Sequence, residues 1–143
     1  MIHVTAGVIR KDDRVLIARR PPGDALEGLW EFPGGKIEKG ESSETCLARE
    51  LHEELGIVVR VGRHLGSNTH AYPDKTVELL FFEVALVEGT PHPHEHDCMA
   101  WVTIPELSQY TFAPADVPFV EELLRRALPA TQGPGVPPLN LSP

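Results

Sequence analysis

The sequence predicts an α/β fold, a mixed β-sheet covered by helices, on three observations. β-rich apolar runs open the chain at residues 3–10 and 14–19, a longer one fills residues 76–87, and two amphipathic patterns of helical period fall between and after them. The chain has 143 residues, 41% of them hydrophobic, enough for one compact core and too few for two of ordinary size.

Each element has its own local reason. HVTAGVIR and RVLIAR flank the charged Lys11-Asp12-Asp13, the pattern of two strands joined by a tight connection. PPGDALEGLWEFPGG (residues 21–35) is rich in proline and glycine but holds Leu29, Trp30 and Phe32, so it reads as an ordered loop with partly buried anchors. Ser42 is a natural N-cap, Glu44 suits the positive end of the helix dipole and Gly56 is a natural stop, which predicts a helix over residues 43–55 with Leu47, Leu51 and Leu55 as its buried stripe. Further strands are expected at 58–65, 76–87 and 99–103. Asp116 then caps a second helix whose apolar residues are Val120, Leu123, Leu124 and Ala127, with Pro118 tolerated in the first turn. Residues 1–128 are expected to form the domain. Residues 129–143, with five prolines and no charge, read as an extended tail.

Thirteen Lys+Arg against 21 Asp+Glu leave a net charge of −8, which opposes binding to nucleic-acid polymers or anionic membranes. A phosphorylated small molecule would need cations to mediate its approach. Cys46 and Cys98 form no CxxC pair, so neither a disulfide framework nor a zinc site is indicated. The N-terminus lacks a signal-peptide pattern and no apolar stretch reaches membrane-spanning length. The expectation is a cytoplasmic monomer or homodimer acting on a small molecule.

The stretch GGKIEKGESSETCLARELHEELGI (residues 34–57) runs from a glycine turn into the first helix and carries six glutamates between Glu38 and Glu54. Glu50, Glu53 and Glu54 stand at i, i+3 and i+4, so they share a face beside the leucine stripe and repel one another unless a cation joins them. Mg²⁺ takes hard oxygen ligands and keeps positions open for substrate phosphates. Gly34 and Gly35 permit a sharp turn that can bring a backbone carbonyl to such an ion. A solvated acidic helix would account for the glutamates but not for the glycines.

Gly35, five residues, Glu41, seven residues, then Arg49-Glu50-Leu51-His52-Glu53-Glu54-Leu55-Gly56-Ile57 resembles the signature of the Nudix hydrolases without a departure. The resemblance runs from about Val4 to Leu124. LWEFPGGKIE is closest to the MutT-like branch, and HEHDCMAW and APADVP are similar to members that act on CTP or other cytidine nucleotides. It implies an α/β/α sandwich with a mixed sheet, and a small-molecule nucleotide substrate cleaved to monophosphate and pyrophosphate in nucleotide-pool sanitation. The substrates implied are CTP, dCTP, modified cytidine nucleotides or 8-oxo-dGTP. Nucleotide sugars, dinucleoside polyphosphates and a sensor without turnover are the alternatives. By the same resemblance, Glu50, Glu53, Glu54 and the Gly34 carbonyl hold Mg²⁺ (or Mn²⁺), and Glu41 and Arg49 form a structural pair. Glu95 supplies an extra carboxylate as ligand or base, and the catalytic set is Glu50, Glu53 and Glu95.

Three further residues are expected at the substrate: Arg20 against a phosphate, Phe32 against the base, and Asp116, where the guanine-directed bacterial members carry asparagine. An ionised Asp116 only accepts hydrogen bonds, which favours the cytosine amino group. His92, His94 and His96, interleaved with prolines, read as a solvated loop in preference to a zinc site, and His70 and Tyr72 fall in a connecting segment without an assigned role.

Overall fold

In the computed structural model the structure describes residues 1–132, with side chains through Arg126. Seven strands form one sheet: β1 (Ile2–Lys11), β2 (Arg14–Arg19), β3 (Trp30–Glu31), β4 (Gly34–Lys36), β5 (Val58–Ala71), β6 (Thr76–Glu88) and β7 (Cys98–Thr103). Its order is β3-β2-β1-β6-β5, with β4 also paired to β1 and β7 to β2. β1 and β6 run parallel at its centre, from Ile2 opposite Val77 to Arg10 opposite Ala85, and the remaining pairings are antiparallel, so the sheet is mixed. Asp12 turns the β1–β2 hairpin at φ 57, a backbone region that aspartate tolerates.

A helix covers each face. α1 (Ser43–Leu55) has the predicted bounds: the Ser42 side chain accepts from the Thr45 N–H, and Gly56, at φ 70, donates its N–H to the His52 carbonyl. Leu47, Leu51 and Leu55 pack with Ile9, Leu16, Phe82 and Val84 on one face of the sheet. On the other face α2 (Val117–Gln132) sets Phe119, Val120 and Leu123 against Phe32, Phe81 and Ile17. The layers are therefore α/β/α.

Several boundaries differ from the sequence reading. β5 continues six residues past Leu65, to Ala71, because its whole length pairs with β6. As the strand at the end of the sheet it needs one ladder and little apolar burial, so the polar Ser-Asn-Thr-His run is compatible with it. His70 thus lies in a strand, and Tyr72 opens the turn closed by its N–H to the Lys75 carbonyl at 2.7 Å. The loop over 21–35 contains β3 and the start of β4, too short to show a period. α2 runs through Pro129 to Gln132, where a tail was expected: an internal proline removes one helical bond without ending the helix. The rest of that expectation, residues 133–143, lies outside the described residues. No helix among those described is long and apolar enough to cross a membrane.

Leu51 is 0% exposed and anchors α1 to the sheet. We expect Leu51→Ala to cost about 2–5 kcal/mol in urea unfolding; a loss below about 1 kcal/mol would mean that α1 docks by other contacts.

Candidate functional site

The site forms where β4, α1 and the loop after β6 meet. A Cβ on Gly34 would lie 1.9 Å from the Thr5 carbonyl oxygen, and one on Gly35 would lie 2.0 Å from a Glu50 carboxylate oxygen. Only glycine lets β4 pass between β1 and α1 so closely. Glu41 accepts from the Glu38 N–H at 3.1 Å and from Arg49 at 2.6 Å (Nε) and 3.0 Å (Nη2), tying the turn to the helix. The Arg49 bond holds the Glu41 carboxyl down to about 2.

Glu95 arrives by a different route. The His92 and His94 N–H groups bond the Leu55 and Glu54 carbonyls at the end of α1, and the Asp97 N–H bonds the Arg19 carbonyl. These bonds complete carbonyls that the helix itself leaves open. The three histidines consequently do different things: the His92 and His94 amides dock the loop, and His96 is buried, contrary to the solvated reading, because its ring packs inward to reach Glu31.

Glu50, Glu53, Glu54 and Glu95 line one wall of a cavity of about 610 Å³, together with Gly34, Gly35, Arg20, Glu31, Phe32 and Asp116. Glu54 is 8% exposed. Burial first, then the charges of Glu95 and Glu50, push its carboxyl up to about 9. Among the described residues no three His, Cys, Asp or Glu side chains already surround a point where a metal ion could sit. Arg49 Nη1 holds Glu50 at 3.1 Å and Glu53 at 3.2 Å. The donor chemistry still fits a hard divalent cation. The helix and loop side chains on that wall are carboxylates, and burial beside Glu95 and Glu50 disfavours the charged form of Glu54, which a cation there would reverse.

Next to the acidic wall, and sharing Val4, Arg20, Asp24, Glu31, Leu79 and Asp116 with it, is a second cavity of about 580 Å³ lined by Leu26, Tyr72, Pro73, Val77 and Ala115. A flat apolar ring suits this half and phosphates suit the acidic half. Arg20 faces both halves and is paired with Asp24 and, at 3.1 Å, with Glu31. Phe32 is 3% exposed, and its ring packs against Phe81, Phe112 and Phe119, so it belongs chiefly to the core beneath the cavity.

Asp116 requires a correction. Its carbonyl accepts from the Val120 N–H as a helix begins, but its carboxyl turns away and accepts from the Phe32 N–H at 3.1 Å. Burial, then the charge of Glu31, pushes that carboxyl well above the usual range. Burial that disfavours the charged form weakens the expected contrast between an accepting aspartate and asparagine. Glu31, His96 and Tyr72 were not foreseen as site residues. A two-residue strand gives no period to read, and the prolines around His96 suggested solvent.

The match to a NUDIX domain model spans residues 4–122. The chain belongs to the Nudix hydrolase family. It is 42% identical over 132 residues to the CTP pyrophosphohydrolase of Escherichia coli, covering 91% of this chain and 98% of that protein. A putative 8-oxo-dGTP diphosphatase 2 of Mycobacterium tuberculosis is 38% identical, covering 85% and 87%. The solution structure of the E. coli ORF135 protein superposes with a TM-score of 0.76 at 40% identity, over 91% of this Nudix hydrolase and 94% of that chain.

A carboxyl whose folded pKa lies above its unfolded value adds stability that is full below the unfolded value and is lost as pH rises through the folded one. For Glu54 the window runs from about 4.5 to about 9. In a chelator, the melting temperature should fall across that window, and Glu54→Gln should flatten the fall. A slope identical in the variant would show that Glu54 is ionised in the folded protein.

Proposed function

We propose that this Nudix hydrolase converts nucleoside triphosphates to the monophosphate and pyrophosphate with Mg²⁺, that Mn²⁺ substitutes, and that cytidine nucleotides are its preferred substrates. The observation that carries the reading is the junction of an acidic wall with a neighbouring cavity of about 580 Å³ that is partly lined by apolar side chains and has room for a nucleobase. The 42% identity to a CTP pyrophosphohydrolase supports the cytidine preference.

Glu50, Glu53, Glu54, Glu95 and the Gly34 carbonyl would hold the cation. When bound, the ion supplies charge neutralisation for the phosphates and lowers the pKa of a water. The chain's own residues do the rest. Glu53, the most exposed of the three helix glutamates, or Glu95, on the docked loop, accepts the proton of the attacking water. Arg20 has its pairs with Asp24 and Glu31 to exchange for a phosphate oxygen. Arg49 holds Glu50 and Glu53 in place beside the wall. Tyr72 fixes the far wall by accepting the Ala115 N–H at 3.2 Å.

A second reading is 8-oxo-dGTP: the burial of Asp116 favours the protonated form of its carboxyl, which would donate to the O6 acceptor of guanine.

The test is a pyrophosphate-release screen over CTP, dCTP, 8-oxo-dGTP, ADP-ribose and diadenosine polyphosphates, run with wild type, Glu53→Gln and Glu54→Gln at saturating Mg²⁺. We expect turnover highest on the cytidine triphosphates, with both variants folded and slower by roughly 10² or more, the scale of losing a catalytic carboxylate. Wild-type rates in both variants would refute the metal assignment, and ADP-ribose or diadenosine polyphosphates as best substrates would refute the triphosphate reading.

A further inference from the structure

His96 lines the acidic cavity beside Glu31, which borders both cavities, and the chemistry described above leaves it unused. Its side chain is 4% exposed, and its Nε2 lies 2.7 Å from Glu31 Oε2. Its Nδ1 is sealed from solvent with no hydrogen-bond partner among the described residues. An orphaned buried nitrogen carries a desolvation cost, so the Nε2 bond has to offset it. Because a carboxylate can only accept, Nε2 carries the proton and donates to Glu31.

Glu31 needs such a partner. It sits in the two-residue β3, its side chain is 18% exposed, and it borders both cavities. Arg20 reaches its two oxygens at 3.1 and 3.4 Å but is shared with Asp24. An arginine that leaves for a phosphate would free the carboxylate to swing. The His96 ring holds the carboxylate through Oε2 independently of Arg20 and is itself held, since the His94 N–H bonds the Glu54 carbonyl and the Asp97 N–H bonds the Arg19 carbonyl on either flank. Glu31 Oε1, which has only the long Arg20 contact, keeps capacity for another donor.

We propose that His96 is a positioning residue that fixes the Glu31 carboxylate as the acceptor for the exocyclic amino group of cytosine. A fixed carboxylate accepts the amino hydrogens at C4 of cytosine, whereas uracil presents a carbonyl oxygen there and the two sets of lone pairs repel. The proposal deepens the cytidine reading and rests on it for the ligand, but its test needs no turnover.

Calorimetric titration of metal-free protein with CMP and with UMP gives the ratio of the two dissociation constants. Wild type should favour CMP. His96→Leu should reduce that preference by roughly tenfold, the scale of one hydrogen bond to a charged group, and Glu31→Gln should remove it as well. His96→Gln, which keeps a donor at the reach of Nε2, should restore most of it. Should His96→Leu fail to fold, His96→Asn takes its place, its shorter amide falling short of Glu31. A residue that only supports the fold would weaken both nucleotides equally. An unchanged ratio in His96→Leu or its substitute, a ratio retained in Glu31→Gln, or a wild type that does not distinguish CMP from UMP would overturn the proposal. CMP preference in a protein that releases no pyrophosphate from CTP would instead refute the catalytic reading and leave the role of His96 standing.

Discussion

Setting the Glu54 carboxyl into the cavity wall, beside the charges of Glu50 and Glu95, is the constraint around which the rest of the site is arranged. A carboxylate loses hydration there and gains repulsion, so the isolated protein lowers the cost by keeping it protonated. On the proposed metal reading a divalent cation would reverse both terms at once, and the same crowding would supply affinity for it.

The fold maintains that crowding by independent devices. Two glycines let β4 lie against β1 and Glu50 at distances no side chain would allow. Arg49 pairs with Glu41, Glu50 and Glu53 and offsets part of their repulsion. The loop that carries Glu95 is fastened by the open carbonyls at the end of α1, which makes the helix terminus part of the site. On the opposite side Asp116 and Glu31 repeat the arrangement on a smaller scale. Asp116 is buried with its charged form disfavoured, and Glu31 lies between Arg20 and His96.

What was legible in the sequence follows the range of the interactions. Helix α1 could be read to the residue because its cap, stop and leucine stripe are all local, and the glutamate spacing depends only on helical period. A mixed sheet covered by helices followed from the order of elements, and the α/β/α layering from the resemblance to the Nudix hydrolases. The bounds of β5 could not be read, since its last six residues are strand only because β6 lies beside them. Asp116 illustrates the same limit in chemistry. Its place before a helix suggested a cap, whereas the contacts that set its charge come from Phe32 and Glu31, some 84 residues away in the first case. Glu31 and His96 are joined across 65 positions, and no local pattern links them.

The central claim is that the carboxylate wall is built for a divalent cation, and Mn²⁺ binding in the absence of nucleotide tests it most directly. Titrating the protein while following the paramagnetic resonance of free Mn²⁺ should show saturable binding in wild type that is lost or greatly weakened in Glu54→Gln. Equal binding in the two proteins, or no saturable binding in wild type, would contradict the account.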